Sequence, residues 1–78
     1  MASMISQGKE ILRISPKNSR QIEYSINQGR TWMIRYVGSS VTGYFKDLMV
    51  SGSEILGTTD KGIFSSSNSG RTWLFRHR

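Results

Sequence analysis

Apolar residues along this chain come in short bursts, broken at regular intervals by glycine, serine and asparagine. In the second half the bursts are "YFKDLMV" (44–50), "EILGT" (54–58), "GIFSS" (62–66) and "TWLFRH" (72–77). Each is four to seven residues long and rich in β-branched or aromatic side chains, so each predicts a strand, with turns between them. No window places apolar residues at i, i+3, i+4 and i+7 over three turns, which leaves helix a minor element at most.

The first half repeats this layout. "MISQGKEIL" (4–12) aligns with "LMVSGSEIL" (48–56), and "QIEYSINQGRTWMIRYV" (21–37) aligns with "GIFSSSNSGRTWLFRHR" (62–78). The offset is 44 in the front part and 41 in the back part, so the first copy carries three extra residues between them. They fall in "RISPKNSR", where Pro16, Asn18 and Ser19 mark an insertion-tolerant loop. A period near 40 residues is the mark of a repeat architecture whose units stack on one another. The expected organisation is one repeat at 1–37 with a short first strand at Met4, Ile5 and Ser6, a connector at 38–43 within "VGSSVTG", and a second repeat at 44–78.

Both copies contain the sentence Ser-x-Asn-x-Gly-Arg-Thr-Trp, as Ser25, Asn27, Gly29, Arg30, Thr31, Trp32 and as Ser66, Asn68, Gly70, Arg71, Thr72, Trp73. It lies between the third and fourth strands, where the chain must reverse. An asparagine carboxamide can accept from the amide two residues on, and glycine takes a positive φ without steric cost. Ser25 and Ser66 offer a hydroxyl to the same loop, and the tryptophans plug the hairpin base, each indole N–H seeking a loop carbonyl. Arg30 and Arg71 fall at an exposed turn position.

This motif resembles the Asp-box, or BNR repeat, found on the blades of sialidases and other β-propellers. Asn27 and Asn68 stand where that family has aspartate, which keeps the acceptor but removes the charge that would hold a cation. The resemblance implies four-stranded antiparallel blades with the box as a structural turn remote from any active site. A propeller ring needs about four to eight blades and this chain has two, so the resemblance implies completion by homo-oligomerisation, three copies giving six blades. The alternative is that the chain is a piece of a longer propeller. Runs such as "TWMIRYV" and "TWLF" read as strands covered on both faces, making 31–37 and 72–75 the expected sites of blade-to-blade packing.

Composition narrows the chemistry. In 78 residues there is no cysteine and one histidine, His77, which excludes disulfides, thiol nucleophiles and multi-histidine metal sites within one chain. No metal or cofactor is expected. Eleven Lys and Arg against five Asp and Glu give +6 and favour an anionic partner. No apolar run exceeds three residues, and the N-terminal ten lack a signal-peptide pattern, so the expectation is a soluble chain with no membrane partner and no visible address. Met1-Ala2-Ser3 ahead of Met4 reads as a cloning remnant.

Three functions are weighed. A non-catalytic binding or scaffold module, its basic face docking an acidic protein, ranks first. A lectin-like oligomer binding carbohydrate is second, with Arg30, Arg35, Tyr36, Arg71 and Trp73 as candidate ligand residues, and Tyr24, Trp32 and Tyr44 as further stacking rings. A sialidase-related hydrolase is least supported: Arg13, Arg20, Arg30, Arg35, Tyr24, Glu23, Asp47 and Asp60 supply the residue types, but no motif fixes a pair of carboxylates, and the chain is not expected to be an enzyme. No nucleic-acid module is matched.

Overall fold

The computed structural model describes residues 4–77, which form eight strands and, within that range, no helix. The strands are β1 (Met4–Gln7), β2 (Glu10–Ile14), β3 (Ile22–Ser25), β4 (Met33–Tyr36), β5 (Phe45–Ser51), β6 (Glu54–Thr59), β7 (Gly62–Ser66) and β8 (Leu74–His77). They build two four-stranded antiparallel sheets in sequential order, β1–β4 and β5–β8. The all-β expectation and the eight-strand layout hold. The cloning-remnant reading of Met1 to Ser3 lies outside the described residues.

Sequence and structure differ at element ends. The first strand runs one residue past Ser6, to Gln7, because Gln7 pairs with Glu10 across the Gly8 turn. The last strand begins at Leu74 rather than Thr72, because the Thr72 amide is bonded to the Asn68 side chain instead of a neighbouring strand. Both third-to-fourth strand pairings carry a register shift, between Ile22 and Glu23 and between Ile63 and Phe64.

Register defines two faces in each repeat. Ile5, Leu12, Tyr24 and Met33 are cross-strand partners in the first sheet, and Met49, Leu56, Ser65 and Leu74 are the equivalent row in the second. This is termed the leucine face. The opposite, serine face carries Met4, Arg13, Glu23 and Ile34 in the first sheet and Leu48, Gly57, Phe64 and Phe75 in the second, with Ile11 and Ser25 matching Ile55 and Ser66.

The core is built from unlike faces. Leu12 and Ile22, with Ile5, Ile14, Tyr24 and Tyr36 around them, come from the leucine face of the first sheet. Phe45, Leu48, Ile55, Phe64 and Trp73 come from the serine face of the second. The sheets therefore stack head to tail, and burying these side chains is the main source of stability, at roughly 1.5–3 kcal/mol for each large one. Gly57 makes the fit feasible: a Cβ there would stand 2.7 Å from the Phe45 ring and 3.1 Å from Trp73. Tyr36, Phe45 and Trp73 form an aromatic cluster across the junction, with centroids 5.0 to 6.3 Å apart.

The connector is tied to both sheets. Tyr36 Oη and Thr42 Oγ1 are 3.1 Å apart, and Thr42 is buried beside Ser39. The inserted loop reaches across as well, since the Phe45 amide donates to the Ser19 carbonyl and the Arg20 guanidinium lies 4.9 Å over the Tyr44 ring.

Candidate interaction surface

The two repeated turns are nearly superimposable in their bonding. Ser66 Oγ accepts from the Gly70 amide at 2.8 Å and donates to Asn68 Oδ1 at 2.9 Å. That same Oδ1 accepts from the Thr72 amide at 3.0 Å, while Asn68 Nδ2 donates to Thr72 Oγ1 at 2.8 Å. Ser25, Asn27, Gly29 and Thr31 repeat all four contacts. The expectation that asparagine caps the amide two residues on is thus corrected. The strand-end serine points into the turn and takes the glycine amide, so the carboxamide spans the mouth of the loop to the threonine four residues on.

Gly29 and Gly70 have φ of 90° and 88°, as expected, and Gln28 and Ser69 also adopt left-handed φ of 64°. Trp73 is buried and its indole N–H donates to the Gly70 carbonyl at 3.0 Å, closing the loop over the core. Trp32 is half-buried, and Arg13 lies 4.0 Å over its ring while pairing with Glu23 at 2.8 Å.

The candidate ligand residues do not converge on an open site: Arg35, Tyr36 and Trp73 gather in the junction between the sheets, and Arg30 and Arg71 lie on the turns. Arg30 and Arg71 are exposed on separate turns, Arg71 Nη1 donating to the Asn68 carbonyl. Tyr36 and Trp73 are in the aromatic cluster. Arg35 is engaged between the sheets: its side chain is 5% exposed, its Nη2 meets Glu10 Oε2 at 2.8 Å, and its Nη1 donates to the Ser69 carbonyl of the second sheet at 2.8 Å. It also lies 3.8 Å over the Tyr24 ring. The hydrogen bond from Arg35 holds the Glu10 carboxyl below its usual value of 4.5, and the same bond raises the guanidinium further. This clamp escaped the reading of the sequence, although Glu10 and Arg35 recur as Glu54 and Arg76 at the matching repeat positions.

Residues the hydrolase reading would draw on are dispersed. Glu23 pairs with Arg13, and Asp60 Oδ1 accepts from the Tyr44 amide at 2.8 Å. Among the described residues, no three His, Cys, Asp or Glu side chains come together as a metal site. An open hollow of about 750 Å³ lies beside the connector, lined by Val41, Asp60, Lys61, Phe64 and Phe75 among others.

The two outer faces carry apolar side chains that nothing within the chain covers. The leucine face of the second sheet presents Met49 and Leu74 exposed and Leu56 and Ile63 partly so. The serine face of the first presents Met4 and Ile34 exposed, with Ile11 and Trp32 partly so. The expected packing runs at 31–37 and 72–75 are accordingly divided: Arg35, Tyr36 and Trp73 enter the junction, but Met33, Ile34, Val37, Leu74 and Phe75 remain exposed. Both fourth strands are edge strands: Ile34 and Leu74 lie on the faces that no sheet covers within the chain, whereas Met33 and Phe75 lie on the covered faces but at the rim of the contact. Among the described residues no helix is long and apolar enough to cross a membrane. Searches against family models, curated proteins and solved structures give no match.

Proposed function

We propose that this chain is a non-catalytic propeller-type repeat module that works by binding or scaffolding, its two sheets serving as two blades of a ring completed by further copies. One observation carries the reading. The leucine face of one sheet covers the serine face of the next, leaving a matching pair of unlike faces uncovered at the two ends. Head-to-tail stacking of this kind closes into a ring when the rotation allows, and three copies would give six blades. The Ser-x-Asn-x-Gly-x-Thr-Trp turns then serve as Asp-box-like fastenings of each blade, and the net charge of +6 attracts an acidic partner to the assembled surface.

The carbohydrate reading draws less support, since Trp73 is enclosed by the core and Arg13 covers one face of Trp32. Light scattering on the purified chain tests the proposal. A single species near three times 8.9 kDa supports the six-bladed ring, whereas a well-folded monomer at all accessible concentrations removes it.

A further inference from the structure

The intrachain junction has a polar latch as well as an apolar core, and the second sheet carries an unused duplicate of that latch. Arg35 and Glu10 are paired, and Arg35 reaches beyond its own sheet to the Ser69 carbonyl, in the asparagine turn of the next sheet. Beside it, Leu12 is fully buried with its Cδ2 at the spot that a Cβ on Gly70 would crowd, 2.7 Å away. At the equivalent positions of the second sheet, Arg76 and Glu54 are paired at 3.6 Å, with side chains 51% and 37% exposed. Leu56 stands beside them on the open leucine face. The equivalents of Ser69 and Gly70 are Gln28 and Gly29 in the first sheet, and Gln28 is exposed with the same left-handed φ of 64°.

We infer that Arg76 and Glu54 are an intermolecular latch: the leucine face of the second sheet docks on the serine face of the first sheet of another copy, Arg76 donating to its Gln28 carbonyl and Leu56 seating against its Gly29. This rests on the self-association proposed above and adds its faces, direction and residues. The occupant is a second copy because the chain itself supplies the complementary surface, with the same turn chemistry, strand register and arginine–glutamate pair as the junction it already makes. The two junctions differ in several side chains: Ser65 and His77 stand in the second sheet where the first has Tyr24 and Tyr36. Where the second sheet has Gly57 and Phe64, the first has Arg13 and Glu23, so the intermolecular contact retains an ion pair over Trp32 and is the more polar of the two.

The experiment uses four single-site variants of the full chain, each checked for an unchanged far-ultraviolet spectrum. Leu56→Glu places a carboxylate on the open leucine face, with Met49→Glu as a second blocker of that face should the first fail to fold. Met4→Glu does the same on the open serine face. Each blocked variant is expected to be monomeric alone, and an equimolar mixture of the two is expected to associate, since each supplies the face its partner lacks. Arg76→Ala is expected to weaken assembly about tenfold or more, as for loss of a charged donor at an interface. A monomeric parent chain would sink self-association and this inference together. An oligomeric parent whose mass is unaffected by the blocking variants would leave self-association standing and overturn these faces. Loss of assembly with Leu56→Glu but not with Met4→Glu, or a mixture that stays monomeric, would overturn the head-to-tail direction.

Discussion

Arg35 Nη1 donates to the backbone carbonyl of Ser69 at 2.8 Å, so a side chain from the fourth strand of one sheet terminates in the asparagine turn of the other. Glu10 neutralises the same guanidinium, and Tyr24 lies beneath it. A cation this enclosed is tolerable only because a carboxylate, a carbonyl and an aromatic face replace the water it gives up. The arrangement adds a directional link between the two sheets to an apolar core whose driving force is non-directional.

Replacing Arg35 by methionine keeps most of the apolar stem but leaves a partly buried Glu10 carboxylate and the Ser69 carbonyl without this partner. The expected loss is about 2–3 kcal/mol, below the full penalty for a broken buried pair because Glu10 is partly hydrated. Chemical denaturation measures it. A loss under about half a kcal/mol would assign the clamp no part in stability.

Acid should weaken the fold through the same pair. The Arg35 hydrogen bond lowers the folded-state pKa of Glu10 beneath 4.5, so its contribution is complete above that ordinary value and is lost as pH falls through the folded one. In that interval the unfolded chain binds more protons, which makes stability rise with pH. Thermal midpoints from pH 6 to pH 3 should fall more steeply for the parent than for Glu10→Gln. Parallel curves would show that the pair contributes nothing to the acid limb.

Gly57 is held by volume, with no positive φ to explain it. Gly57→Ala would drive a methyl group against Phe45 and Trp73, at an expected cost of about 1–3 kcal/mol from overpacking. Stability equal to or above that of the parent would mean that the aromatic cluster can shift without loss.

Within the repeated turn, serine and asparagine should respond differently. Ser66→Ala removes the acceptor for the buried Gly70 amide, for about 1–3 kcal/mol. Asn68→Asp preserves the acceptor for Ser66 and Thr72, and the Thr72 hydroxyl can turn to donate, so a change within about 1 kcal/mol is expected. Urea midpoints compare the two, and an Asn68→Asp loss equal to that of Ser66→Ala would show that the amide N–H to Thr72 is indispensable.

Much of the secondary structure was legible because strand-forming bursts and turn residues are local signals. Glu54, Gly62 and Ser66 bound strands as the sequence indicates, and Gly29 and Gly70 take the positive φ their places require. Alternation also separates two faces per sheet, yet it does not say which faces meet. That choice depends on volumes brought together from distant positions, such as Gly57 admitting Phe45 and Trp73. Arg35 illustrates the same limit. Alone in sequence it reads as a solvent or ligand residue, and its role emerges only when Ser69, 34 positions away, arrives within reach. The serine-for-asparagine exchange of roles at Gly29 and Gly70 lay beyond composition too, because it follows from where the last strand residue aims its hydroxyl.

The unlike-face junction bears on how such a chain lengthens over generations. A protein whose two ends present the same surface must invent a new one before a duplicated copy can join it in register. On the head-to-tail docking proposed above, the trailing sheet presents the kind of surface that the leading sheet of a duplicate would fit, and the eight-residue segment from Val37 to Tyr44 shows how little chain is needed to step from one sheet to the next. Tandem duplication could therefore add repeats without a new contact chemistry, and divergence of single residues such as Arg13 and Gly57 would then fix each copy in its own place.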